Sequence, residues 1–137
     1  MTTVALGSGP AQLLLTPVVE HGSAVPHSLT AQLRLDSLLA TQTVEQHYAS
    51  GFADLASFFE SLANDWRGWA GPRRWESLEG ELELVAIHDG HVRLNVTLRA
   101  AHPNDWRATG TVTIDPGEPL SAVARDVRGM TSGFTGS

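Results

Sequence analysis

The sequence predicts an α+β domain: a largely antiparallel sheet of about six strands with two helices packed on one face, in the order βββαβββα. Three observations predict it. Apolar residues alternate with polar ones in several segments, above all from Val92 to Ala100, the period of a half-buried strand. Phe52, Leu55, Phe59, Leu62 and Trp66 recur at helical spacing. Between the strand-like segments lie hairpin-length connections, Asp89-Gly90 the clearest, which favour antiparallel pairing.

The chain has 137 residues, 42% of them hydrophobic and 18% charged, the balance of one globular domain. Residues 1–137 are therefore read as a single domain, with a loose start over about 1–10 and a frayed tail over about 131–137. Residues 11–21 read as the first strand, with Pro17 marking an edge or a bulge. In SLTAQLRLDSL, Leu29, Ala31, Leu33 and Leu35 alternate with polar residues, and Asp36-Ser37 is a turn. Ala40 to Ala49 gives a third, less regular strand. The helix then runs over roughly 51–67. Ser50 is placed to cap it, Asp54 suits its first turn, and Gly68 and Pro72 end it.

The second half is richer in strands. SLEGELELVAIH leads into the Asp89-Gly90 turn, and Val92, Leu94, Val96, Leu98 and Ala100 form a core face beyond it. A two-residue turn would set Glu83 opposite Val96 and Glu81 opposite Leu98, carboxylates beside core residues, which is costly. A three-residue loop, or a bulge in the first arm, aligns Leu82, Leu84 and Ala86 with the core face and is preferred. His102 to Asp105 reads as a turn. Trp106, Ala108, Gly110, Val112 and Ile114 alternate as the next strand. A second helix starts at Pro119, with Leu120, Val123, Ala124 and Val127 as its stripe and Gly129 as its stop.

Composition bounds the function. Cysteine is absent, which excludes disulfides, thiolate metal sites and a cysteine nucleophile. No apolar run has the length of a membrane helix, and the first residues lack the pattern of a signal peptide. A cytoplasmic protein with no membrane role is expected. The formal charge is −6, which disfavours nucleic acid as a partner. All nine basic residues are arginine, a count that codon bias in a GC-rich genome explains.

No nucleophile elbow, phosphate loop or zinc-spaced set occurs. No catalytic residue, metal ligand or cofactor is therefore assigned. His88 and His91 flank one turn, and a metal there would need a third ligand from Asp89, His47 or His102; solvated side chains are the preferred reading. Two clusters remain as candidate binding residues. One is the tryptophan-rich segment Trp66-Arg67-Gly68-Trp69, with Arg73 and Trp75 beyond it, either a cover for the core or an aromatic and arginine interface. The other is the run Glu76, Glu79, Glu81 and Glu83, in which the alternation of Glu79, Glu81 and Glu83 describes the solvent face of a strand. The face carrying Arg93, Asn95, Thr97, Arg99, Arg107 and Thr109 is either solvent or interface.

From Leu55 to Leu98 the chain reads L-x-x-F-F-x-x-L-A-x-D-W-R-G-W-x-G-x-x-x-W-x-S-L-E-G-x-L-x-L, then H-D-G-H-V-x-L-x-V-x-L. The pattern resembles an actinobacterial family of unknown function and is similar to immunity proteins of the WapI type. The resemblance implies a non-enzymatic immunity or interaction protein that binds and neutralises a bacterial toxin. It carries over no catalytic residue. Carboxylates at Glu76, Glu79, Glu81 and Glu83 would then face a basic groove of the toxin. The alternative is a small-molecule binding module with a pocket at the tryptophan-rich loop. A hydrolase or metal-dependent enzyme built on His88 and His91 is third.

Overall fold

A computed structural model describes residues 3–20, 22, 25–100 and 106–132. The turn expected over His102–Asp105, and the tail beyond 132, lie outside the described residues. The chain runs β1 (Val4–Leu6), β2 (Gln12–Val18), β3 (Ser28–Arg34), β4 (Leu39–Glu45), α1 (Ala53–Asn64), β5 (Arg73–Glu76), β6 (Leu82–His88), β7 (Val92–Arg99), β8 (Arg107–Ile114) and α2 (Glu118–Thr131).

The α+β class stands, but the single sheet of six strands does not. There are two four-stranded antiparallel sheets, β1-β2-β3-β4 and β5-β6-β7-β8, so the order is ββββαββββα. Each is a meander in which every strand pairs with its neighbour in sequence. α1 separates β4 from β5, and the two do not pair. Alternation marks one apolar face per strand without saying what covers it. Here Leu13, Leu15, Leu29, Leu33 and Val44 of the first sheet meet Leu82, Leu84, Val96 and Leu98 of the second in one buried cluster. Leu55, Phe59 and Leu62 of α1 and Leu120 and Val127 of α2 complete that cluster. The two helices pack on each other and are tied by Arg128, which donates to both carboxylate oxygens of Glu60 at 2.8 and 2.7 Å.

Polar contacts join the two sheets. The Ser8 amide donates to the Thr113 carbonyl at 3.0 Å. The Gln42 side chain donates to the Arg99 carbonyl at 2.9 Å. The Glu45 amide donates to Glu81 Oε2 at 3.1 Å.

Two strands escape the sequence reading. Val4–Leu6 lies inside the stretch read as a loose start, yet Val4 and Leu6 are buried. Arg73–Glu76, read as loop, pairs with β6 through Trp75 opposite Leu84. Both strands are too short to show a period. Pro17 sits in β2, an interior strand, but beyond the last residue of β2 that pairs with β1, where a missing amide donor costs least.

The β6–β7 hairpin has the preferred register. His88 pairs with Val92 across the three residues Asp89, Gly90 and His91, so Leu82, Leu84 and Ala86 face Leu98, Val96 and Leu94. Gly90 takes φ +102°, the left-handed conformation such a loop demands.

The helices depart from expectation at their ends. α1 spans 53–64, not 51–67, and no side chain caps its start; Ser50 contributes its carbonyl, to the Ala53 amide at 3.1 Å. Because the helix ends early, Trp66 falls off the buried stripe and is 43% exposed. α2 begins at Glu118 with Pro119 in its first turn and runs through Gly129. Met130 packs on the core and Thr131 is buried beyond it, which offsets the cost of roughly 1 kcal/mol for a helical glycine. Among the described residues, no helix is long and apolar enough to cross a membrane.

Candidate functional site

The tryptophan-rich segment closes on itself. Trp75 is buried in β5 and belongs to the core. Trp69 packs against that core and donates from Nε1 to the Ala86 carbonyl at 3.4 Å. The guanidinium of Arg73 lies 4.9 Å from its ring centroid, and His88 meets it edge-on at 5.2 Å. Arg73 also donates to the Ser61 carbonyl at 3.1 Å and to Asp65 at 2.7 Å. It thus places a cation at the C-terminal end of α1, where the helix dipole favours one and the last turn has none of its own.

His88 fastens the same loop. Its Nε2–H donates to the Trp66 carbonyl at 2.8 Å, and its Nδ1 accepts from the Gly90 amide at 3.2 Å. Both ring nitrogens are therefore occupied by backbone. His91 turns instead to Asp115, at 3.2 Å. Among the described residues, no three metal-ligating side chains group together.

The glutamates do not form one solvent surface. Glu79 is exposed in the turn before β6. Glu81 is only 2% exposed; it accepts from Ser77 Oγ at 2.7 Å and from the Glu45 amide. It is a structural clamp between the sheets. Glu83 does face outward, but between Arg74 and Arg99, the latter at 2.8 Å. The Arg99 hydrogen bond, with help from Arg74, holds the Glu83 carboxyl below the usual glutamate range against the opposing effect of burial. Glu76, exposed, lies 3.4 Å from Arg99. The expected acidic face is thus replaced by an interlocked arginine and glutamate network.

That network is part of a larger surface. Residues of β5–β8 that do not point to the core share the outer face of the second sheet. Register sets them in rows: Arg74, Val85, Asn95 and Thr111 in one; Glu76, Glu83, Thr97 and Thr109 in the next. Ile87, Arg93 and Thr113 form a third row, and Arg99 stands opposite Arg107. Ile87 is 42% exposed, Arg93, Asn95, Arg107, Thr109 and Thr111 are exposed, and no described element covers them. Four of the nine arginines lie here, against the carboxylates of Glu76 and Glu83 and that of Asp89, which accepts from Arg93 Nε at 2.7 Å. The strict alternation of β7 pointed to half of this face. Arg74 was not legible because β5 was not, and Val85 and Ile87 look like core residues by composition.

A cavity of about 440 Å³ lies elsewhere, between the β4–α1 connection and the end of α2, lined in part by Val25, His47, Tyr48, Phe52 and Arg128. It lies at the start of α1, whereas the tryptophan-rich loop where a pocket was expected follows the end of that helix. Tyr48, stacked on His47 at 4.6 Å, is 86% exposed at its edge.

The sequence profile of a family described as a family of unknown function (DUF6228) matches residues 7–133, a span that includes both helices and every strand except β1. No curated protein and no solved structure matches significantly.

Proposed function

The chain belongs to the DUF6228 family, and from that premise we propose that it is a non-catalytic binding protein that neutralises a toxin domain by protein–protein contact. The observation that supports this reading is the uncovered outer face of β5–β8. Backbone ladders on three strand pairs hold it rigid, so little ordering entropy is lost when a partner docks. It mixes arginines with an exposed Ile87, a half-buried Val85 and short hydrogen-bonding side chains, a composition found at protein interfaces. The immunity role itself comes from the resemblance carried by Phe58, Phe59, Trp66, Trp69, Trp75 and the His88–Val92 turn. Most of these residues build the scaffold, so the face is the part free to differ between partners.

The test is co-expression with the products of genes flanking its own. The expected result is a flanking product that is toxic alone, harmless with this protein, and recovered with it as a stoichiometric complex. A toxic flanking product that stays toxic and uncomplexed in its presence refutes the reading.

A further inference from the structure

We infer that the outer strip of β7 and β8, from Arg93 to Arg107, docks an acidic patch on a protein partner. The inference rests on the protein-binding reading, though not on the partner being a toxin.

The carrying observation is the register pair Arg99–Arg107. Like charges directly opposite on neighbouring strands are destabilising. Arg99 is relieved: it donates to Glu83 at 2.8 Å and to the Gly80 carbonyl at 2.8 Å, and its side chain is 14% exposed. Arg107 is exposed, and among the described residues it has no carboxylate partner. Among the described residues nothing offsets the charge of a second arginine there. An anionic group from outside would relieve the pair.

The strip is long enough to read a surface. Arg93 lies six positions before Arg99 on β7, so Arg93 and Arg107 stand ~20 Å apart. Between them Asn95, Thr109 and Thr111 offer uncharged donors and acceptors. Carboxylate suits this chemistry, because guanidinium pairs with it in a two-point fork. The same face already holds one carboxylate between two guanidiniums, Glu83, which takes one hydrogen bond from Arg74 and one from Arg99. Protein fits better than nucleic acid. No aromatic side chain stands on the described outer face to stack a base, and Ile87 supplies exposed apolar area beside Arg93.

The test is an NMR titration of the isotope-labelled protein with a decaglutamate peptide at low salt, with a thymidine decanucleotide in parallel. The expected result is saturating peptide shifts at Arg93, Asn95, Arg107, Thr109 and Thr111. The double variant Arg93→Glu, Arg107→Glu should weaken binding at least about tenfold, whereas Arg125→Glu on α2, also exposed, should not. Both strip positions are solvent-facing, so the variant's own spectrum reports whether the fold is kept. Shifts that are absent, or that map to another surface, overturn the inference, as does equal loss in the Arg125 variant. Tighter binding of the oligonucleotide to the same strip overturns the choice of partner. A toxin complex that forms but tolerates the double variant removes this strip alone. A strip that responds to the peptide while the flanking toxin stays unbound refutes the immunity role alone.

Discussion

Replacing Glu81 tests the central feature that the structure reveals, a carboxylate buried as a clamp between two sheets. Its two acceptor contacts, from Ser77 Oγ at 2.7 Å and from the Glu45 amide at 3.1 Å, join the turn before β6 to the end of β4. Hydrogen bonds to a charged group contribute roughly 1.5–3 kcal/mol each, and a buried donor left unpaired costs a similar amount. Glu81→Ala orphans the Glu45 amide, while Ser77 can rotate, so the expected loss is ~3 kcal/mol. Glu81→Gln keeps one oxygen for the Glu45 amide and offers its NH₂ to the Ser77 oxygen, so it should lose only ~1 kcal/mol. With a urea slope of ~2 kcal/mol/M, the midpoint should fall by ~1.5 M for alanine and ~0.5 M for glutamine. Urea unfolding followed by tryptophan fluorescence reads this directly, because Trp69 and Trp75 both contact the core. An alanine midpoint within about 0.3 M of the parent would show that Glu81 clamps nothing. Equal losses for the two variants would show that charge matters and hydrogen-bond geometry does not.

Three further outcomes follow from the same contacts. Gly7 holds φ +107°, and an added Cβ would lie 2.7 Å from the Ala11 carbonyl and 3.1 Å from Val112; Gly7→Ala should cost ~2 kcal/mol and lower Tm by roughly 6–10 °C, and an unchanged Tm would deny that the β1–β2 turn is tightly held. The carboxyl of Glu83 titrates lower in the folded protein than in the unfolded chain, so its stabilisation is full above the ordinary glutamate range and is lost as pH falls through the folded value. Glu83→Gln should therefore flatten the acid limb of the stability–pH curve without steepening the basic one; an identical acid limb would contradict the Arg99 pairing. His88→Ala should speed amide exchange over residues 66–71 and cost ~1 kcal/mol, leaving the β6–β7 ladder protected; slow exchange in that loop would mean that His88 does not fasten it.

Local signals determined much of this protein. Alternation over Val92–Arg99 identified the buried face of β7. The cost of placing Glu81 and Glu83 beside Leu98 and Val96 selected the shifted register, by a three-residue loop or a bulge, because register flips every side chain at once; the structure takes the loop at Asp89–His91. Phe52, Leu55, Phe59 and Leu62 marked α1 for the same kind of reason: periodicity is a property of the chain alone. The candidate site was less legible. Trp69 and Arg73 could be singled out by type, but whether a tryptophan covers a core or meets a partner depends on what stands in front of it.

Tertiary structure alone decided the rest. Alternation reports that a face is buried and not what buries it, so eight strands in two sheets looked like about six in one. Val4–Leu6 and Arg73–Glu76 are strands because neighbours pair with them, a cause absent from three or four residues read alone. Glu81 and Glu83 have the same side chain two positions apart. One is buried because the end of β4 supplies an amide that needs an acceptor, and the other is neutralised because two arginines converge on it from β5 and β7. Those donors are remote in sequence, and only the folded packing brings them to the carboxylates.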